Sequence, residues 1–484
     1  MRLWLVGGCV TFGGFVKVEF EDYSLVGAGK ARAHDRGLVN AEWFLADVEP
    51  ARMRELQERT NRRATIDTAL WIGLTILAGW WLAATAWSWW SIPAMLCYGA
   101  LYGGASDSRW HEMGHGTAFR SRRANEIIYH LASFQLFRGP TVWRWSHYRH
   151  HTDTIITGRD AEIVFQRPPS VWRTIFAFTH LQGGVELFGR LVRHAFGRID
   201  NDAKEFVPES EWKRVIIESR IIVSIVAGAV ILSLAFRSFL PIALIGGPTV
   251  YGGWLVVFFG ITQHAGLQEN VLDHRYNTRT VYMNPLFRFL YSNMNYHVEH
   301  HMFPSVPYHA LPDLHAEVKD QLAPAVPTTA AAYRVIFSTL ARQHVDPTYE
   351  IELDVPEVES RRRRIDVGES NWVQHASGGI DLAAASSMDV GELRRIDIED
   401  HTFVLGKLGE DEFMLCDGLC THANIHLADG ALIDGEIECP KHNGRFDCKT
   451  GEPTRRPVTQ PVAVYPVTID GGRVVGHVNR KATS

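Results

Sequence analysis

Residues 68–106, TALWIGLTILAGWWLAATAWSWWSIPAMLCYGALYGGAS, contain no charged side chain. At about 1.5 Å of rise per helical residue, this run is long enough for two membrane crossings rather than one. Its middle, Trp87-Ser-Trp-Trp-Ser-Ile-Pro93, combines interfacial aromatics with a proline turn, so it reads as a tight hairpin. A second hairpin is expected from Ile221 to Phe236 and, past Arg237, from the uncharged Ser238–Gln263. Buried helices of a large soluble protein are the alternative, and the length and lack of charge argue against it.

Working outward from the hairpins, the basic residues set the side. Arg52, Arg54, Arg59, Arg62 and Arg63 precede the first hairpin, and Arg109, Arg120, Arg122 and Arg123 follow it. Lys213, Arg214 and Arg220 precede the second, with Arg275 and Arg279 after it, so all the flanking segments are expected in the cytoplasm. The expectation is an integral membrane protein, in a bacterial cell of the inner membrane. At 484 residues the chain is too long for one ordinary core. Its mean hydropathy of −0.09 hides the spans, and its net charge of −5 argues against a nucleic-acid partner. From Asp381 onward 17 acidic side chains face 11 basic ones, so an acidic soluble module follows a near-neutral membrane part. The charged stretch Glu350–Asp366, with Arg361–Arg364, reads as the linker between them. Leu3–Phe15 is apolar after Arg2 but Gly-rich and without a small-x-small cleavage site, so a secretory signal is not favoured. The six cysteines, Cys9 and Cys97 among them, show no disulfide-scaffold pattern, which suits a reducing compartment.

The chemistry lies in the histidines. His111-Glu-Met-Gly-His115 follows the first hairpin, and residues four apart on a helix share a face, so both imidazoles can reach one metal. Alone this box also fits His-Glu-x-x-His, the zinc-protease motif with Glu112 as general base. His147-Tyr-Arg-His150-His151 and His297-Val-Glu-His300-His301 repeat another spacing, in which the adjacent pair can splay toward two metals. Eight imidazoles on three segments are too many for one zinc and suit two irons that activate O2. His264, in Thr262-Gln-His-Ala-Gly266 at the end of the last span, is a ninth candidate, although a histidine at a helix end is more often a cap. His130, His180, His194, His274, His309 and His315 lack ligand-type spacing and read as structural or solvated.

The order of these boxes around two hairpins, with Asn295-Tyr-His-Val-Glu-His-His-Met-Phe-Pro-Ser-Val-Pro-Tyr308, resembles the membrane fatty acid desaturase and hydroxylase superfamily over about 42–322. The resemblance implies about four transmembrane helices, a cytoplasmic helical cap, and a di-iron centre held by the boxes and an extra histidine, for which His264 stands in the matching place. Membrane alkane hydroxylases have a different second box, with Glu and Gly, which weakens that assignment.

Near the other end, Cys420-Thr-His422 and Cys439-Pro-Lys-His442 stand sixteen residues apart in a region of short β-type runs. One zinc on Cys2His2 is the alternative reading, but Cys-x-His is an awkward zinc knuckle. This region, about 371–478, resembles the small all-β Rieske domain, in which Cys420 and Cys439 would hold one iron of a [2Fe–2S] cluster and His422 and His442 the other. Ile425 and Lys441 stand where high-potential relatives carry a disulfide, so the resemblance implies a low-potential ferredoxin. Cys416 and Cys448 are expected to pack as small apolar residues. Without a Gly-rich nucleotide fingerprint, a separate NAD(P)H-dependent ferredoxin reductase is implied.

The expected organisation is therefore an N-terminal segment (1–41), a membrane di-iron domain (42–345), a linker (346–370) and a Rieske module (371–484). The expected activity is O2-dependent desaturation or hydroxylation of an aliphatic, fatty acyl or lipid substrate. Oxidation of a small N- or O-methylated molecule is the nearest alternative. A zinc protease or a metal transporter would leave the other boxes and the Rieske module without a purpose.

Overall fold

The computed structural model describes residues 22–39, 43–86, 88–163, 165–361, 373–376, 378–398 and 401–478. The apolar stretch 3–15, Cys9, Trp87 and Arg362–Arg364 lie outside the described residues. Two compact units divide the chain: one gathers 1–40, 59–301 and 322–356, the other 41–58, 302–321 and 357–484.

The first unit is helical. The outgoing limb of the first hairpin is the helix Asn61–Ala84, started by Thr60, whose Oγ1 accepts from Arg62 N at 3.2 Å. The chain returns through Ser91–Gly99, one π-helical turn at Ala100–Gly104, and Ser106–His115. The second hairpin goes out as Trp212–Ala235 and returns in three pieces, Leu240–Leu244, Gly247–Tyr251 and Trp254–His264. Among the described residues, two helical stretches are long and apolar enough by themselves to cross a membrane, one ending in Asn61–Ala84 and the other Glu209–Ala235. The two returning limbs are helical but interrupted, the second by Gly246 at φ 88° and by the Gly252-Gly253 pair.

These interruptions have a packing cause. A Cβ on Gly252 would lie 2.0 Å from the Gly99 carbonyl oxygen, and one on Gly103 would lie 2.3 Å from that of Pro248. The returning limbs thus touch backbone to backbone, a close approach that only residues without a Cβ allow. Arg109, one of the basic residues that flank the first hairpin, is buried, donating to the carbonyls of Leu290 at 2.6 Å and Phe289 at 2.8 Å.

The second unit contains three four-stranded antiparallel sheets. The first runs, in spatial order, Val373–Gln374, Ile380–Ala384, Arg473–Gly476, Val467–Asp470; the second runs Val464–Tyr465, Glu412–Asp417, His401–Gly409, Leu393–Ile398. They enclose a core of Ala383, Phe403, Leu405, Leu415 and Val474. The third, Ala431–Ile433, Glu436–Glu438, Arg445–Asp447 and Pro453–Arg455, carries the cysteine and histidine loops at its ends. A helical N-terminal part followed by an all-β Rieske-like module is thus the architecture. Two helices from far apart in the sequence join this second unit, Pro50–Leu56 and Leu311–Val318, tied by Arg52 Nε to Glu317 Oε1 at 2.9 Å.

Candidate metal centres

Four helical segments deliver the histidines of the first unit. His111 and His115 lie on the last turns of Ser106–His115, which Gly116 ends in the left-handed conformation at φ 65°. His147, His150 and His151 lie near the end of Pro140–Thr152, His264 is the last residue of Trp254–His264, and the third box forms the short helix His297–Met302. All nine are buried, and they sort into two sets. His111, His115, His147, His151 and His300 bring their ring nitrogens within 4.8 Å of one another, and His150, His264, His297 and His301 do the same. The adjacent pairs split as their spacing predicts: His150 and His301 go to one set, His151 and His300 to the other.

The donor chemistry fits metal. Nε2 of His147 lies 2.9 Å from Nε2 of His115 and 3.2 Å from that of His151, while Nε2 of His111 is 2.8 Å from that of His300. In the second set, Nε2 of His297 is 3.1 Å from that of His264 and 3.2 Å from that of His301. A ring nitrogen carries at most one proton, so hydrogen bonding alone cannot satisfy nitrogens that converge in threes. A shared cation does.

Carboxylates and carbonyls on the outer side fix the tautomers. Glu162 Oε2 lies 3.2 Å from Nδ1 of His147, Asp160 Oδ2 lies 2.8 Å from Nδ1 of His150, and the Asn277 carbonyl lies 2.8 Å from Nδ1 of His264. Each acceptor draws the ring proton to Nδ1 and leaves the Nε2 lone pair facing inward. Burial, and then mutual repulsion, push His111, His147, His151, His297, His300 and His301 well below the usual imidazole range. At His150 burial opposes the charge, but Asp160 overcomes it and raises the pKa. The sets are thus held as neutral donors, apart from His150.

Asp160, Glu162 and Asn277 carry no motif spacing that marks them in the sequence. The available signal was Asp160-Ala-Glu162, two carboxylates within eleven residues of His151. Of the histidines read as structural, His274 lies near the second set, its ring 4.9 Å from that of His301.

In the second unit Cys420–Ile425 and Cys439–Gly444 are two copies of one turn. Cys420 N donates to Ile425 O at 2.8 Å and Asn424 N to Cys420 O at 2.9 Å; Cys439 N donates to Gly444 O at 2.8 Å and Asn443 N to Cys439 O at 3.1 Å. Asn424 and Asn443 turn the chain at φ 55° and 54°, the left-handed region asparagine tolerates. The paired turns bring Nδ1 of His422 and His442 to 3.2 Å and bury Cys420 and Cys439. A hydrogen bond from Cys439, with backbone N–H groups of His422 and Ala423, holds the Cys420 thiol below its usual pKa, as a thiolate ligand requires. Burial instead pushes the Cys448 thiol up to about 12 and that of Cys416 higher still, so these two stay protonated and inert.

Comparison with known proteins places both halves. Residues 87–332, just over half of the chain, match the fatty acid desaturase family. The chain belongs to the fatty acid desaturase family. Residues 379–466 of this desaturase-family protein match the Rieske [2Fe-2S] domain. That part is similar to the ferredoxin component of the naphthalene 1,2-dioxygenase system of Pseudomonas aeruginosa, 41% identical over 96 residues, 20% of this chain and 91% of that protein. It is also similar to the anthranilate 1,2-dioxygenase ferredoxin subunit of Burkholderia cepacia, 43% identical over 68 residues, 14% of this chain and 62% of that one. Among solved structures it is similar to the Sphingomonas yanoikuyae B1 ferredoxin, with 33% identity, a TM-score of 0.20, and coverage of 21% of this chain and 99% of that one.

The desaturase-family protein is therefore an oxidoreductase in which a di-iron site and a Rieske [2Fe–2S] carrier share one chain. The two histidine sets suit the former and the paired turns the latter.

Proposed function

We propose that the protein is a membrane-bound di-iron enzyme that desaturates or hydroxylates an aliphatic chain of a fatty acyl or lipid substrate. The observation that carries this reading is the pairing of two buried imidazole sets with long helices whose apolar side chains stay exposed. Leu70, Leu77 and Trp80 on one such helix, and Ile225, Ile231 and Leu234 on the other, face outward, an arrangement that water penalises and lipid favours. The returning limbs complete two hairpins, giving four crossings in the inner membrane, and the basic flanks keep both metal centres on the cytoplasmic side.

His111, His115, His147, His151 and His300 are assigned to one iron, and His150, His264, His297 and His301 to the other. Cys420, Cys439, His422 and His442 are assigned to the [2Fe–2S] cluster. When bound, the two irons supply an O2-activating centre able to attack an unactivated C–H bond. The chain's own part is to orient and to exclude water. Asp160 and Glu162 lock the rings of His150 and His147, and Thr280 Oγ1 donates to Glu299 Oε2 at 2.6 Å inside the third box. Trp110 closes the first set, its ring 5.5 Å from that of His147, and Arg138 caps Trp110 at 4.1 Å. Electrons come from NAD(P)H through a separate ferredoxin reductase and then the Rieske module.

Membranes containing the protein, supplied with NAD(P)H, ferredoxin reductase and candidate acyl lipids under isotopically labelled O2, test the reading by mass spectrometry. The expected product has lost two hydrogens or gained one labelled oxygen on its chain. Formaldehyde from an N- or O-methylated small molecule, with acyl lipids untouched, would replace this substrate assignment with demethylation.

A further inference from the structure

The two histidines of the cluster turns differ in exposure: His422 is exposed and His442 is buried. The residue before His442 is buried with it. Lys441, itself buried, lays its Nζ 3.6 Å from the centroid of the Trp43 ring. Trp43 is buried too, and its Nε1–H donates to the Met302 carbonyl at 3.3 Å. Asn443, on the other side of His442, makes a long 3.5 Å hydrogen bond from Nδ2 to the Pro304 carbonyl. Trp43, Met302 and Pro304 all belong to the segments that the second unit gathers from elsewhere in the chain. Met302 is bonded directly to His301, the last residue of the third box.

We propose that Trp43 is the bridge through which electrons leave the Rieske cluster, along Lys441, the indole and the Met302 carbonyl to the His301 backbone. This rests on the electron-donor role proposed above. In each passage one electron leaves the reduced cluster, whose single ferrous ion becomes ferric, and converts one ferric ion of the di-iron site to ferrous. Two passages serve one O2, and the NAD(P)H-dependent reductase refills the cluster through the exposed His422 side. Trp43 is not itself oxidised; its ring stands between the Lys441 ammonium and the Met302 carbonyl. Buried, flanked by a cation on its face and a carbonyl on its edge, it is held in one orientation by both its π-face and its N–H.

The test uses the full-length holoprotein, with the cluster reduced anaerobically, mixed with O2 without substrate, and its reoxidation followed optically per intact cluster. Electron paramagnetic resonance of the reduced cluster is recorded for each variant. Trp43→Leu is expected to keep the cluster signal and slow reoxidation by about tenfold or more. Trp43→Phe, which keeps a ring without the N–H, should fall between Trp43→Leu and wild type, and Lys441→Met should slow the step as well. Reoxidation of Trp43→Leu at the wild-type rate overturns the proposal, as does a loss of rate that only mirrors loss of cluster signal. If Trp43→Leu fails to fold, wild-type rates in both Trp43→Phe and Lys441→Met overturn it equally. Failure of the donor role itself looks different: wild-type protein would then reoxidise no faster than His300→Ala protein, whose first histidine set is broken.

Discussion

At the scale of single residues, His150 and His300 separate the two imidazole sets, since each belongs to a different one. The intact protein should hold about four irons, two in each centre, with a Rieske-type resonance signal on reduction. His150→Ala or His300→Ala should abolish turnover and lower iron content while the Rieske signal persists; one zinc and no iron in folded wild-type protein would overturn the assignment. Asp160 offers a finer probe. Its buried carboxylate accepts from Ile155 N and Glu162 N at 2.8 Å and from Ile163 N at 3.0 Å, besides facing Nδ1 of His150. An amide in its place keeps the shape but loses an acceptor and the charge that raises the His150 pKa. Asp160→Asn should therefore cost roughly 10–100-fold in iron affinity or activity, read by chelator competition. Glu112, the general base of the protease alternative, is buried and accepts from Thr117 Oγ1 at 2.6 Å. Glu112→Gln should keep its iron and part of its oxidation activity; proteolysis that vanished with this change would favour the protease.

Among the elements, the crossing of the two returning limbs is the most exacting. A Cβ on Gly99 would meet the Tyr251 ring at 2.8 Å and Gly252 Cα at 2.9 Å, and backbone atoms cannot swing away as a side-chain end can. Gly99→Ala or Gly252→Ala should destabilise by ~1–3 kcal/mol, seen as a lower unfolding midpoint in detergent. Such a crossing also shows where sequence reading stops. Lack of charge in 68–106 and 238–263 marked the hairpins, but averaged hydropathy does not register that Gly246 and Gly252-Gly253 break one limb while a π-turn at Ala100–Gly104 bends the other. The histidines were legible because spacings of three and four on a helix are local rules. Which iron each would serve was partly legible: adjacent residues point apart on a helix, so His150 and His151 had to diverge, but the pairing of His147 with His151 and not with His150 depends on the neighbouring helices. Asp160 and Glu162 were not legible, because the loop after Thr152 folds back onto His147 and His150 by tertiary contacts alone. Likewise no linear boundary foretells that 41–58 and 302–321 pack with the Rieske strands, since that association is made between side chains hundreds of residues apart.

For the whole molecule, fusion turns a diffusional meeting of carrier and oxidase into an intramolecular one, at an effective concentration in the millimolar range for a short tether. Cutting the chain after Thr348 is a blunt way to expose this advantage. It also strips Ser360 from the Leu45 amide, where Oγ accepts at 3.1 Å, and Asp389 from Arg54, paired at 2.9 Å. Loss of activity would then mix a missing donor with an uncovered surface. Cys420→Ser removes a proposed cluster ligand while leaving those contacts in place, because the Cys420–Ile425 turn is closed by backbone hydrogen bonds that serine also makes. The variant is expected to keep its di-iron complement, lose the Rieske signal, and stop turning over with NAD(P)H and reductase. Adding an isolated 371–484 module should restore little at equimolar amounts, because the resident, cluster-free module still occupies the Trp43 and Pro304 contacts. Restoration should be greater in a variant that also carries Lys441→Ala, which loosens that grip. Full turnover of Cys420→Ser with reductase alone would show that electrons bypass the Rieske module, and its fusion would then serve the fold and not the flow of electrons.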